Sequence, residues 1–312
     1  MVGSINLLME KLLLISIGST FICNRVLAPQ ISQSGRVGVA IDYLSETKRL
    51  EKSEDLDEDS PIFVLSAGWG AGSTLVQRLI ISSGEALIWG EPLDHAAPIQ
   101  RLAETVAPLR EDWPPEAHYV SDYSPLELSK SWIANMIPDI SRFRCAHKEF
   151  LTLWLNHDHG SSYHRWGLKE VRLTIDHAKY LKWLYPKAKF VFLYRDLYSS
   201  YLSCRNDPWT SVWPNYKATP IVAFAHHWRY LLGGFVERHQ EVDGILVKYE
   251  DLCNGDYPLA ALQEYLGLSS IDTGLLEKKV GGRSANRHPL IYPEKLILDG
   301  IAGDLRKKLG YK

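Results

Sequence analysis

The segment Ser66-Ala67-Gly68-Trp69-Gly70-Ala71-Gly72-Ser73-Thr74 is where this 312-residue chain first offers chemistry. Glycines at this spacing let the backbone turn tightly enough for successive N–H groups to face one anion. A helix opening near Ser73 adds its positive end and two hydroxyl donors. That combination is a phosphate cradle. A nucleoside triphosphatase would carry Lys before the Ser/Thr to hold the β and γ phosphates, and Ser73 stands in that place. ATP and kinase-like phosphotransfer are therefore poor candidates. Taken alone, the segment also reads as a Gly-rich turn that merely joins a strand to a helix.

A second signal lies far along the chain, at Phe190-Val191-Phe192-Leu193-Tyr194-Arg195-Asp196, followed by Ser199, Ser200, Ser203 and Arg205. An Arg at the carboxyl end of a buried strand and a Ser eight residues later, on the following helix, can converge on one anion. By itself Arg195 serves equally well as a structural partner of Asp196 or of a helix carboxylate.

These residues need strands and helices to bring them together, and the hydrophobic pattern supplies an alternating series. Ile62 to Leu65, Ala86 to Trp89, Phe190 to Tyr194 and Gly244 to Tyr249 read as strands, with Leu75, Val76, Leu79 and Ile80 at helical spacing after the first. Helix starts are marked by Thr174 before Ile175, by Thr219 with Pro220, and by Asp256 before a Leu259 to Leu266 run that Gly267 ends. The last thirty residues read as a helix with a basic end, Arg306-Lys307-Lys308. Strands separated by helices predict an α/β fold of three layers, a central parallel sheet flanked by helices, with ligands at the carboxyl ends of the strands.

Together the motifs resemble the sulfotransferases that use 3'-phosphoadenosine 5'-phosphosulfate, a P-loop-like α/β family. The resemblance includes Gly90-Glu91-Pro92, Trp166-Gly167-Leu168-Lys169-Glu170 and Tyr249-Glu250-Asp251-Leu252, and runs in order from the first strand to the region of Arg283. It implies that Gly70, Ala71, Gly72, Ser73 and Thr74 hold the 5'-phosphosulfate and that Arg195 and Ser203 hold the 3'-phosphate. Relatives also close a late basic, glycine-containing loop on the same phosphate, and the resemblance implies that role, by a loose match, for Lys279, Gly281, Gly282 and Arg283. Glu91 stands where relatives carry the base that takes the proton of an acceptor hydroxyl or amine, with His95 a candidate second base. Lys169 matches a Lys near the bridging oxygen, where its charge offsets developing negative charge. A salt-bridged or helix-capping Glu91 and a snorkelling Lys169 are the alternatives. Tyr249 to Leu252 is expected to brace the nucleotide loop. The implied activity is sulfuryl transfer to a small molecule or a carbohydrate, without a metal. The acceptor pocket falls to loops such as Pro108 to Pro125 and Asn206 to Thr219. One departure matters: relatives usually read RSGST where this chain reads Gly70-Ala71-Gly72-Ser73-Thr74, so a cation and a hydroxyl are missing. The competing expectation is therefore a catalytically impaired nucleotide-binding module of the same fold.

Composition narrows the partners. At 46% hydrophobic and 23% charged residues the chain can bury a sizeable core, and a formal charge of -2 gives no general attraction to nucleic acid or anionic membrane. Anion binding must be local. Cys23, Cys145, Cys204 and Cys253 are far apart and read as reduced thiols in a cytoplasmic protein. His157, His159 and His164 lack acidic or Cys partners at metal-ligand spacing. Of His226 and His227, one is expected beside the core. The apolar Leu12 to Cys23 run falls short of the roughly 20 residues of a bilayer span and lacks a cationic lead, which favours a packed or loosely attached helix over a membrane anchor. Glu46 to Asp59 holds seven acids and three bases and reads as a lead-in. The expected division is therefore an N-terminal helix and acidic lead-in over 1–60 and one catalytic domain over 61–312.

Overall fold

A computed structural model describes residues 28–46, 59–119, 124–130, 134–156, 163–206, 221–277 and 288–312. Five strands form one parallel sheet in the order β2-β3-β1-β4-β5. They are β1 Ile62–Ser66, β2 Ala86–Trp89, β3 Arg165–Glu170, β4 Lys189–Tyr194 and β5 Ile245–Lys248. Helices cover both faces, which gives the three-layer α/β architecture that the alternation predicts.

β1 lies in the middle of the sheet and is buried throughout. Its alternate side chains feed two cores. Phe63 and Leu65 join the larger one, with Phe190, Phe192, Trp228 and Phe235. Ile62 and Val64 join the smaller one, with Val76, Leu79, Val191 and Leu262. Each such large side chain is worth about 1.5–3 kcal/mol in burial, so a strand filled on both faces must be apolar along its whole length.

The smaller core is closed by α2 Ser73–Ile81, α9 Tyr249–Asn254 and α10 Leu259–Leu266. The larger is closed by α1 Ala28–Glu46, α3 Pro98–Glu104, α5 Ile140–Leu155, α6 Ile175–Leu184, α7 Leu197–Cys204, α8 Ile221–Arg238 and α11 Tyr292–Lys308. A short helix, α4 Pro125–Leu128, lies between α3 and α5. α1 lies before residue 61, yet Val37, Ala40, Ile41 and Leu44 are buried in the larger core and Lys179 of α6 reaches Asp42 at 2.5 Å. The Leu12 to Cys23 run lies outside the described residues, and among those described no helix is long and apolar enough to cross a membrane.

β3 is the strand that the hydrophobic pattern hides. Arg-Trp-Gly-Leu-Lys-Glu has neither clean alternation nor an apolar run, yet Trp166 and Leu168 are buried. Gly167 is required by the sheet: a Cβ there would lie 2.0 Å from the carbonyl oxygen of Ile62.

The helix punctuation is partly as expected. Thr174 caps α6 in a reciprocal box, its Oγ1 accepting from the His177 N–H at 3.3 Å while His177 Nδ1 accepts from the Thr174 N–H at 3.1 Å. α10 ends at Gly267 in the left-handed region, φ 66°, but its N-cap is Pro258 rather than Asp256. Thr219 and Pro220 lie outside the described residues. α11 carries Arg306, Lys307 and Lys308 in its last turn, although Arg306 turns inward and is buried.

Candidate active site

The carboxyl ends of the five strands bring the separated motifs to one edge of the sheet. β1 and β4 are neighbours, and the helices that follow them, α2 and α7, pack on opposite faces. A crevice opens at such a switch point. The glycine-rich loop leaves β1 and Arg195 leaves β4, so both border it.

The loop is shaped by close approach. Gly68, Gly70 and Gly72 have φ of 82°, 75° and 92°, conformations that side chains resist. A Cβ on Gly72 would sit 2.2 Å from the Tyr249 ring, and one on Gly70 would sit 2.4 Å from the Ser200 carbonyl oxygen and 2.8 Å from Ser203 Cβ. Ser73 and Thr74 open α2, whose first N–H groups lack intrahelical acceptors. Among the described residues, no acceptor meets the backbone N–H groups of Gly70 to Thr74. Ala71, within the loop, is fully buried.

Arg195 does not pair with Asp196. Its Nη1 donates to the Gly70 carbonyl at 3.1 Å, and its guanidinium lies 4.5 Å from the centre of the Tyr249 ring. The Arg195 carbonyl accepts from Trp228 Nε1 at 3.2 Å. Asp196 instead caps α7 through Ser199 and pairs with Arg306. Ser203 is on α7, against Gly70. Tyr249 therefore lies between Gly72 and Arg195, which is the bracing contact expected of that segment.

The second cluster is built on β2 and β3. Lys169 pairs across the sheet with Val64 and shares its face, the α2 side, while Glu170 pairs with Leu65 and faces the larger core. Lys169 Nζ donates to Glu91 Oε1 at 2.6 Å, so these two predicted residues meet directly. Neither lies free at the surface: Lys169 is buried and the Glu91 side chain is 20% exposed.

Arg172 is the residue that sequence reasoning missed. Its side chain has no exposure, and its guanidinium reaches Glu91 Oε2 at 3.0 Å, Glu170 Oε1 at 3.0 Å and Asp94. Burial opposes its charge, but Glu170, Glu91 and Asp94 together hold its pKa above the ordinary value. Burial pushes the Glu170 carboxyl up, and the Arg172 charge works against that shift. Leu93, Asp94 and Ala97 follow Glu91 with positive φ of 55°, 42° and 49°, a cluster of strained backbone next to the ion pairs. The only sequence signal for Arg172 is a charged Lys-Glu-x-Arg run at the end of a strand.

The other predicted residues divide as follows. His95 belongs to the short turn Asp94–Ala96, and its side chain is outside the described residues. Lys279, Gly281, Gly282 and Arg283 are outside them too, as are His157 and His159. Among the described residues no group of His, Cys, Asp and Glu could hold a metal ion. His227 is buried beneath the loop, 5.1 Å from the Trp69 ring, and its Nε2 donates to the Val171 carbonyl at 3.0 Å. Burial lowers its pKa to about 3, so it is neutral.

A family model described as "Sulfotransferase family" matches residues 61–272. The chain belongs to the sulfotransferase family. The match spans both clusters and all five strands of this sulfotransferase-family chain. Among solved structures it is similar to the sulfotransferase domain of the olefin synthase of Synechococcus PCC 7002. That likeness has 17% identity and a TM-score of 0.40 over 84% of this chain and 98% of that one. It is also similar to the sulfotransferase STF9 of Mycobacterium avium, at 14% identity and a TM-score of 0.40 over 92% and 86%. At these scores the two likenesses carry no functional argument. No curated protein matches the chain. In this family member the glycine-rich loop meets Arg195, and Glu91 is a carboxylate held by two cations, Lys169 and Arg172.

Proposed function

We propose that the protein transfers a sulfuryl group from 3'-phosphoadenosine 5'-phosphosulfate to a hydroxyl or amine of a small molecule or carbohydrate. The observation that carries the reading is the meeting of Gly70 and Arg195: a guanidinium bonds to a loop whose N–H groups from Gly70 to Thr74 meet no acceptor among the described residues. The loop suits a phosphate-bearing donor because side chains are excluded at Gly70 and Gly72, leaving the backbone N–H groups to line it. Gly70 to Thr74 would hold the 5'-phosphosulfate, and Arg195 with Ser203 the 3'-phosphate. Arg283 remains the proposed late contact.

When bound, the donor supplies an activated sulfuryl group. Transfer forms a bond from the acceptor oxygen or nitrogen to sulfur, breaks the bond from sulfur to the 5'-phosphate oxygen, and delivers the acceptor proton to a base. Glu91 is that base in this reading, with in-line attack and no metal. Each of its oxygens is held by one cation, Lys169 or Arg172, and each keeps a further lone pair for a proton. Lys169 carries positive charge on the α2 side of the sheet, where it would offset charge developing on the leaving oxygen.

A nucleotide-binding module without turnover is the second reading. It is favoured by the missing loop cation at Gly70 and by the double pairing of Glu91. One experiment separates the two: purified protein is incubated with radiolabelled phosphosulfate donor and a panel of phenols, sugars and amines, with calorimetry of adenosine 3',5'-bisphosphate alongside. Labelled product supports the enzyme, whereas binding without product supports the module. Neither binding nor product would discard both.

A further inference from the structure

Arg306 and Tyr311 stand more than a hundred residues from the β4 turn in sequence and yet build its outer wall. Arg306 is buried, and its Nε donates to Asp196 Oδ1 at 2.6 Å while its guanidinium lies 3.9 Å from the centre of the Tyr198 ring. The Tyr311 hydroxyl donates to Glu250 Oε2 at 2.8 Å, and the other oxygen of that carboxylate accepts the Asp196 N–H at 3.0 Å. The Tyr311 ring stands edge-on to Tyr194 at 6.5 Å, with the Lys248 ammonium 4.7 Å from its centre. Tyr194 and Lys248 immediately precede Arg195 and Tyr249. One phenol thus touches the ends of both strands that deliver the Arg195–Tyr249 stack.

We propose that Tyr311, assisted by Arg306, is a positioning residue for Arg195 and sets the affinity for the 3'-phosphate of the donor. This rests on the donor reading above. The physical link is Glu250. Its carboxylate is stretched between the Asp196 N–H and the Tyr311 hydroxyl, so it ties the backbone next to Arg195 to the end of α11. A hydrogen bond to a charged acceptor is strong and directional, and without it the carboxylate is free to turn toward solvent. The Asp196 N–H then loses its fixed acceptor, and the guanidinium loses its alignment over Tyr249 and Gly70. Burial, followed by the hydrogen bond to Glu250, holds the Tyr311 phenol well above its usual pKa, so it remains a donor.

The test is a double-variant cycle read by calorimetry with adenosine 3',5'-bisphosphate, run well below each variant's melting temperature. Tyr311→Phe keeps the ring and removes the hydroxyl. It should weaken binding about 10-fold, whereas Lys307→Ala, exposed in the last turn of α11, should bind like the natural protein. In an Arg195→Ala background the added effect of Tyr311→Phe should shrink to less than about twofold, because coupled residues lose their effect together. Unchanged affinity of Tyr311→Phe overturns the proposal. So does the same fold-loss in both backgrounds, which marks a general loosening of the fold. Should Tyr311→Phe melt below the assay temperature, Arg306→Lys is read against the same two outcomes. A natural protein that does not bind the bisphosphate overturns the donor reading itself, and the proposal with it.

Discussion

Gly70 rests against α7 so closely that a Cβ on it would lie 2.4 Å from the carbonyl oxygen of Ser200. The position where relatives place a cation therefore has no room for a side chain in this fold, and its φ of 75° is itself unfavourable for one. Gly70→Arg should not restore a cation to the site. It should push the loop off α7, break the Arg195 bond to the Gly70 carbonyl, and cost about 2 kcal/mol or more of stability. Gly70→Ala should do much of the same. Denaturant midpoints and bisphosphate affinity measured together check this, and a Gly70→Arg protein with natural stability and tighter binding would refute it.

Arg172 is the most exposed weakness of the second cluster in energetic terms, because its removal leaves Glu170 buried and without its counter-charge. Breaking such a pair from one side costs about 3–5 kcal/mol. Arg172→Met should destabilise the fold by that order, and adding Glu170→Gln should recover part of the loss. Urea unfolding of the two variants decides it. Equal stability of Arg172→Met and the natural protein would mean that the ion pairs contribute nothing.

Glu91→Gln removes the proposed base while keeping its shape. Turnover of an accepted substrate should fall about 100-fold or more, the usual scale for a positioned base, while bisphosphate affinity stays within about twofold, since Glu91 bonds to Lys169 and Arg172 and not to Gly70 or Arg195. Natural turnover in the variant would send the proton to His95 or to water.

Acid stability should depend on His177. Burial lowers its pKa to about 4, against 6.5 for the free side chain. The unfolded chain therefore binds the proton first. The contribution of neutral His177 is full above about pH 6.5 and is lost progressively as pH falls toward 4, at about 1.4 kcal/mol per pH unit. Protonation also takes away the Nδ1 acceptor of the Thr174 N–H, opening the cap of α6. His177→Gln retains an acceptor at that place and should flatten the slope of stability between pH 6.5 and 4.5, with part of the remaining slope due to His227. An unchanged slope in this variant would clear His177.

The parts of this protein legible from sequence are those whose signal is local. A β-branched and apolar run followed by glycines, as at Ile62 to Gly72, specifies a buried strand through its apolar side chains and a tight turn through backbone preference. Helix ends are marked equally locally, by the Thr174 hydroxyl that caps α6 and by the left-handed backbone of Gly267. The pattern failed at β3, where the strand end enters the site and carries Lys169 and Glu170 in place of apolar residues, so burial there depends on partners and not on hydrophobicity. Partners distant in the chain are decided by tertiary structure alone. Arg172 meets Glu91 across 81 residues and Arg306 meets Asp196 across 110, and no spacing in a sequence records such a contact. The same holds for Gly70: its sequence reads as a lost cation, while the close approach of α7 gives the reason, since a carbonyl oxygen occupies the space that any side chain would need.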